Sequence, residues 1–121
     1  MNSAKVKAAL DEAMAIEGAL GACLVDYQSG MTLGTAGGTG MDLEMAAAGT
    51  TEVVRSELRV MGALGLKDRV EDMLFTLGTQ FHLVRMVKDT DSLFLYLALS
   101  KGPANLGMAK FQLSSAEQKL T

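Results

Sequence analysis

Two short apolar segments place the strongest constraint on the fold of this chain of 121 residues. The segment 20–27 is apolar on both faces of an extended backbone until Asp26, and the segment 92–99 reads SLFLYLAL. A strand that is apolar on both faces belongs in the centre of a sheet, where helices cover both sides. We therefore predict a sheet with these two strands at its centre and helices on both of its faces.

Hydrophobic periodicity predicts the other elements. Helical spacing covers 3–17, 41–61 and 102–120, and further strands are predicted at 31–36, 69–77 and 79–88. The order is helix, strand, strand, helix, strand, strand, strand, helix. We expect a single domain over 1–121 of the α+β class, a three-layer α/β/α sandwich around a five-stranded, mostly antiparallel sheet. The strand 69–77 carries acidic residues and is predicted to lie near an edge.

Composition and charge argue against several classes of partner. The net charge is −3, and the 11 basic residues are scattered, which disfavours nucleic acid as a partner. No apolar run is long enough to predict membrane insertion. One Cys and one His are too few for an intrachain disulfide or a zinc site. The first residues mix Lys with acidic side chains, unlike a signal peptide. We expect a cytoplasmic protein without metal or cofactor.

The glycine-rich segment TLGTAGGTGMD at 32–42 raises the question of phosphate binding. A Walker loop needs a Lys after its last glycine, and the next Lys in this chain is Lys67. The dinucleotide fingerprint fails as well, because Leu43 occupies the position of its third glycine. We interpret the segment as a flexible connector from a strand to a helix, with Thr39 and Asp42 forming a capping-box-like T-x-x-D start.

Two residues have side chains that often take part in catalysis, Cys23 and His82, but neither lies in a catalytic pattern. Cys23 falls within a strand that we expect to be buried, where a thiol packs as a small apolar group. His82 has apolar neighbours on its strand and no adjacent nucleophile, so a structural or interface role is favoured. No catalytic residue is therefore predicted, and the chain is interpreted as a non-enzyme. A nucleotide-binding or catalytic domain that uses 34–40 and His82 ranks last among the hypotheses.

The helix 41–61 has apolar residues spread over more than one stripe of about 100°. Many of them are Ala or Met. The helix either lies fully on its own sheet, or it has a second apolar face for a partner beside a strand with a free edge. The pattern alone favours neither alternative.

Three segments resemble the roadblock/dynein light chain family. The first is EGALGACLVDYQSGMTLGTAG at 17–37, which is similar to the opening hairpin of the family. The second is GPANLGMAKFQL at 102–113, which is similar to the start of its last helix, and DLEMAAAGTTEVV resembles its Ala-rich second helix. The resemblance covers nearly the whole chain and implies a roadblock/profilin-like fold. The glycine-rich 34–40 loop and Gly49 depart from the family pattern.

The resemblance also implies a function. Members of the family are small non-catalytic regulators or scaffolds that form dimers through the second helix and the neighbouring edge strand. Such dimers bind small Ras-like GTPases and can modulate their nucleotide cycle, so a GTPase-activating role is a candidate. The expectation is a homodimeric regulator of a small Ras-like GTPase. The alternative is an interaction scaffold, or a dynein-light-chain-like subunit, with no effect on a nucleotide cycle.

Two sets of residues follow from this expectation. The first set, on the second helix and the edge strand, would form the dimer interface: Leu43, Ala47, Val54, Leu58, Met61, Glu71, Met73 and Phe75. The second set consists of charged residues of the second helix that would border a platform for the partner: Glu44, Glu52, Arg55, Glu57 and Arg59. An arginine of this platform could enter the active site of a GTPase and stabilise charge there.

Overall fold

The computed structural model describes residues 1–121 and contains eight elements in the predicted order. These elements are α1 (Ser3–Met14), β1 (Ala19–Asp26), β2 (Met31–Gly37), α2 (Leu43–Ala63), β3 (Asp72–Thr76), β4 (Gln80–Met86), β5 (Leu93–Ser100) and α3 (Leu106–Gln118). The helices differ from prediction by a few residues at their ends, and α2 continues through Gly49 without a break. None of the three helices has the length and hydropathy that a transmembrane span requires.

The five strands form one antiparallel sheet in the order β2-β1-β5-β4-β3. The two strands predicted at the centre are β1 and β5, and their inner residues are buried on both faces. The strand with acidic residues is β3, and it lies at an edge as expected. The α+β three-layer architecture predicted from the sequence is therefore confirmed.

Each face of the sheet carries its own hydrophobic core. One core lies beneath α1 and α3 and is centred on alternate residues of β5, Leu95, Leu97 and Leu99. The other lies beneath α2 and includes Phe94 and Tyr96, which point to the opposite face. Because side chains alternate along a strand, β5 contributes to both cores and holds the three layers together.

An Asn or Asp side chain caps the start of every helix. Asn2 caps α1, Asn105 caps α3, and Asp42 caps α2 by accepting a hydrogen bond from the backbone N–H of Met45 at 2.9 Å. The predicted T-x-x-D start with Thr39 is wrong, because the helix begins at Leu43 and Asp42 is itself the N-cap. An N-cap side chain accepts a hydrogen bond from the N–H of the third helical residue, and here Asp42 accepts from Met45.

The glycine-rich connector before α2 is a tight turn with a defined geometry. Gly38 has a φ of +81°, and a Cβ added to it would lie 2.7 Å from a methyl group of Leu43. The N–H of Gly38 donates to the carbonyl of Leu20 at 2.8 Å, and its own carbonyl accepts from Met41 at 2.9 Å. The description of this segment as a flexible connector therefore needs correction, since steric and hydrogen-bond requirements explain the glycines.

The segment ANLGMAK, which carries the strongest part of the resemblance, starts the last helix. Asn105 accepts the backbone N–H of Met108 at 3.0 Å, and Ala109 is buried against the core. Leu106 packs at the edge of the same core. Lys110 points toward the edge strand, where its Nζ lies 3.8 Å from a carboxylate oxygen of Asp72. Capping and packing thus account for this motif.

Candidate interaction surface

An open groove of about 520 Å³ runs between α2 and the edge strand β3. Val53, Glu57 and Val60 form its α2 wall. Met73 and Phe75 form the β3 wall, with Val70 at one end, and we call this feature the α2/β3 groove. The groove exists because α2 packs mainly over β1 and β2, toward the edge of the sheet opposite β3.

The walls of this groove expose apolar surface beside an unpaired strand edge. Val53 and Val60 of α2 are 43% and 49% exposed, and Met73 and Phe75 of β3 are half-buried. Apolar side chains that flank free backbone N–H and C=O groups favour pairing with another chain. The arrangement is suited to contact with a protein and holds no cluster of reactive groups.

The residues predicted for the dimer interface fall into two groups in the structure. Leu43, Ala47 and Val54 are buried beneath α2 against its own sheet, so they support the helix from below. Met73 and Phe75 line the α2/β3 groove.

The other three predicted interface residues lie outside the groove. Leu58 packs partly on the core and lines a separate cavity of about 310 Å³ near the β4–β5 turn. Met61 is half-buried near the end of α2, and Glu71 is exposed and forms an ion pair with Arg69 at 3.6 Å. Of the predicted set, only Met73 and Phe75 therefore belong to the groove surface.

The residues predicted to bind a partner also lie on different sides of α2. Glu44 faces the β2 side and lines a small cavity with Gly30 and Met31. Glu57 lies on the β3 side, in the wall of the α2/β3 groove. The structure therefore does not bring the five charged residues together into one patch.

The two arginines of this set have different surroundings. Arg55 donates from its Nε to the carbonyl of Tyr27 at 2.7 Å and from its Nη2 to the carbonyl of Gln28. Its Nη1 lies 3.7 Å from the carboxylate of Glu52. Arg59 is exposed and donates only to the Ser56 hydroxyl, at 3.1 Å. Arg55 is thus occupied by bonds within the chain, whereas Arg59 remains accessible to a partner.

Cys23 and His82 have surroundings typical of structural residues. Burial raises the pKa of the Cys23 thiol to about 12, so the reactive thiolate is scarce at neutral pH. His82 makes hydrogen bonds through both ring nitrogens, with Nδ1 at 3.2 Å from the Tyr96 hydroxyl and Nε2 at 2.8 Å from Gln80 Oε1. Burial lowers the pKa of His82, which favours the neutral ring. No cluster of three or more metal-ligating side chains is present.

The sequence analysis did not assign Val53 and Val60 to an interface, and it missed a buried ion pair. Val53 and Val60 are seven residues apart on α2, and this spacing repeats on one side of a helix, so it was the available signal. Glu117 of α3 is buried, and it accepts hydrogen bonds from Arg85 Nε at 2.7 Å and from the backbone N–H of Lys88 at 2.6 Å. The spacing of these residues in the sequence does not indicate that they meet.

Neither a protein-family model nor a curated protein matches the chain. Solved structures do match it over nearly its whole length. MglB of Myxococcus xanthus has a TM-score of 0.85 at 19% identity, with 98% of this chain and 86% of that chain covered. The gliding protein MglB of Thermus thermophilus has a TM-score of 0.80 at 20% identity, with 99% and 90% covered.

A third match names the fold. The Roadblock/LC7 domain from Streptomyces avermitilis has a TM-score of 0.79 at 11% identity, with 93% of this chain and 91% of that chain covered. At this level of identity the likeness concerns the path of the backbone. It agrees with the resemblance carried by the segments 17–37 and 102–113. The chain therefore has the roadblock-type fold of the Roadblock/LC7 domain and MglB structures.

Proposed function

We propose that the chain is a non-catalytic homodimeric regulator of a small Ras-like GTPase. The observation that carries the proposal is the α2/β3 groove, an apolar surface beside an unpaired strand in a roadblock-type fold. The sequence resemblance to roadblock proteins supports the same role, and one similar structure is described as MglB in a tetrameric arrangement. The proposed site of action is the cytoplasm, and the proposed domain is the whole chain.

In the proposed dimer, β3 of one protomer pairs with β3 of its partner, and the two α2 helices lie side by side across a twofold axis. Ala46, Gly49 and Thr50 precede Val53 on α2, and these small side chains allow two helices to approach closely. Met73 and Phe75 would become buried beneath the partner's α2. Leu43, Ala47 and Val54 would support the interface from within each protomer.

The partner surface would then be the part of α2 that the dimer leaves open. Glu44 lies on this side beside the exposed Met31 of β2, and Glu52 and Arg59 are exposed on the same helix. Arg59 is the accessible guanidinium, so we assign to it any contribution to phosphoryl-transfer charge in the partner. Glu57 would lie within the dimer contact.

The test uses purified protein and a small Ras-like GTPase encoded in the same genome. Binding is measured by calorimetry, and nucleotide hydrolysis and exchange are measured with and without the chain. We expect the dimer to bind and to change one of the two rates, and Arg59→Ala to reduce a hydrolysis effect while Lys67→Ala, a matched surface change, does not. Binding without a rate change would favour the scaffold alternative, and absence of binding to every such GTPase would contradict the proposal.

A further inference from the structure

Arg55 connects the middle of α2 to a turn that lies 27 residues earlier in the chain. Its Nε donates to the carbonyl of Tyr27 at 2.7 Å, and its Nη2 donates to the carbonyl of Gln28. Both carbonyls belong to the β1–β2 turn, which follows directly after Asp26, the last residue of β1. The guanidinium thus holds two successive backbone groups with one planar donor set, which a lysine cannot reproduce.

The turn that receives these bonds is itself attached to the segment just before β5, the strand beside β1. The Tyr27 hydroxyl donates to the carbonyl of Asp91 at 2.7 Å, and the Tyr27 N–H donates to the carbonyl of Ser92 at 2.8 Å. Gly30 N–H donates to the carbonyl of Asp26 at 2.7 Å, which closes the turn. Arg55 therefore attaches α2 to a part of the structure that is firmly bonded to β5.

Arg55 and the groove lie on different sides of the same helix. Val53 precedes Arg55 by two residues, and residues two positions apart are separated by about 200° around a helix axis. The bonds of Arg55 to the β1–β2 turn therefore act on the side of α2 away from Val53 and Val60. Since α2 packs mainly over β1 and β2, these bonds add a fixed point on the side of the helix that faces away from β3.

We propose that Arg55 is a positioning residue for self-association. Its two hydrogen bonds to the turn hold α2 at the groove width that a second copy of the chain requires. The proposal rests on the homodimer proposed above. It also assigns to Arg55 a role different from contact with a partner, and leaves Arg59 as the arginine available for that contact.

The experiment compares Arg55→Met with three other variants. Arg55→Lys keeps the charge and part of the hydrogen bonding, and Arg59→Ala removes a neighbouring arginine that makes no bond to the turn. Val6→Ala removes methyl groups from the core beneath α1, on the far face of the sheet, and controls for loss of stability alone. For each variant the dimer dissociation constant is measured by sedimentation, and amide hydrogen exchange is measured at 28–31, all under conditions in which the protein is folded.

We expect Arg55→Met to weaken the dimer about tenfold, because two charge-assisted hydrogen bonds are lost. Arg55→Lys should recover part of this loss, while Arg59→Ala and Val6→Ala should stay within about twofold of the wild type. Exchange at 28–31 should accelerate in Arg55→Met, less in Arg55→Lys, and not in Arg59→Ala or Val6→Ala. If Val6→Ala weakens the dimer as much as Arg55→Met, or if exchange at 28–31 is unchanged, the positioning role is wrong. A wild type that stays monomeric would contradict the dimer, whereas exchange at 28–31 would still decide whether Arg55 holds the turn.

Discussion

The two edges of the sheet differ in ways that explain why one of them is suited to association. The register of β1 with β2 shifts between Leu24 and Val25, and β2 contains Gly34 and Gly37. By contrast, β3 pairs with β4 without a shift across all five of its residues, from Asp72 to Thr76. A bulge and glycines make an edge a poor template for another strand, and a regular edge makes a good one.

The coverage of the two edges differs as well. On β2, α1 lies so close that a Cβ added to Gly34 would lie 2.7 Å from Val6. At β3, on the face of the sheet that α2 covers, the helix leaves the strand open, and the α2/β3 groove with its apolar walls lies there. Packing of the helices, as well as the strand itself, therefore makes β3 the more open of the two edges.

The largest effect is expected from a charge placed in the groove. Val60→Glu changes an exposed side chain and should leave the fold intact, and Leu33→Glu makes the same exposed change at the β2 edge. We expect Val60→Glu to weaken the dimer at least about 100-fold, because the charge would be buried without a partner. Light scattering at micromolar concentration measures the result. Equal effects of the two variants would remove the distinction between the edges.

A second pair of variants tests why the connector from β2 to α2 needs its glycines. Gly38 and Gly40 have nearly the same φ, +81° and +79°, but only Gly38 has neighbours near an added Cβ. We expect Gly40→Ala to lower the free energy of unfolding by about 1 kcal/mol through backbone strain, and Gly38→Ala by about 2 kcal/mol more through its clash with Leu43. Urea unfolding of both variants gives the comparison, and similar losses would show that steric contact is unimportant.

Two adjacent valines separate support of α2 from contact across the groove. Val54 is fully buried and Val53 is 43% exposed. Val54→Ala should lower the free energy of unfolding by about 2 kcal/mol, because it leaves a cavity in the core. Val53→Ala should change it by less than about 0.5 kcal/mol and weaken the dimer instead. Unfolding curves and sedimentation of both variants distinguish the two roles, and the reverse assignment would contradict the groove.

The smallest effect concerns pH at the β3 side of the sheet. His82 lies opposite Phe75 of β3 and contacts Tyr96, and burial lowers the pKa of His82 from its ordinary value of 6.5. Below that value the unfolded chain binds a proton that the folded chain resists, so stability should fall as the pH falls below 6.5. His82→Gln should reduce this slope in urea unfolding measured over the same pH range. An unchanged slope would exclude His82 as its source.

The sequence predicts the layers of this fold well because β1 and β5 carry apolar residues on both faces, which indicates burial on both sides. It also predicts that β3 lies at an edge, since Glu71 and Asp72 are unsuited to a central strand. The sequence could not define the groove, because that depends on the sideways position of α2 over the sheet. Helical spacing places Val54 on one stripe with Leu43 and Ala47, which are buried, but it does not show that Val53 lines an open groove.

The contacts of Arg55 and Glu117 could not be predicted from the sequence for a related reason. Arg55 bonds to backbone carbonyls, which every residue has, so no pattern of side chains marks the turn as its partner. Glu117 meets Arg85 only because α3 crosses the sheet beside β4. Long-range contacts of this kind depend on the way that whole elements pack, which periodicity along the chain does not report.

The most direct test of this account follows amide hydrogen exchange of the wild-type chain as its concentration increases. Association through the α2/β3 groove predicts that amides of Asp72–Thr76 become protected as the dimer forms, while those of Met31–Gly37 do not change. Protection of Met31–Gly37 instead, or exchange in Asp72–Thr76 that stays the same from monomer to dimer, would contradict the assignment of β3 as the association edge.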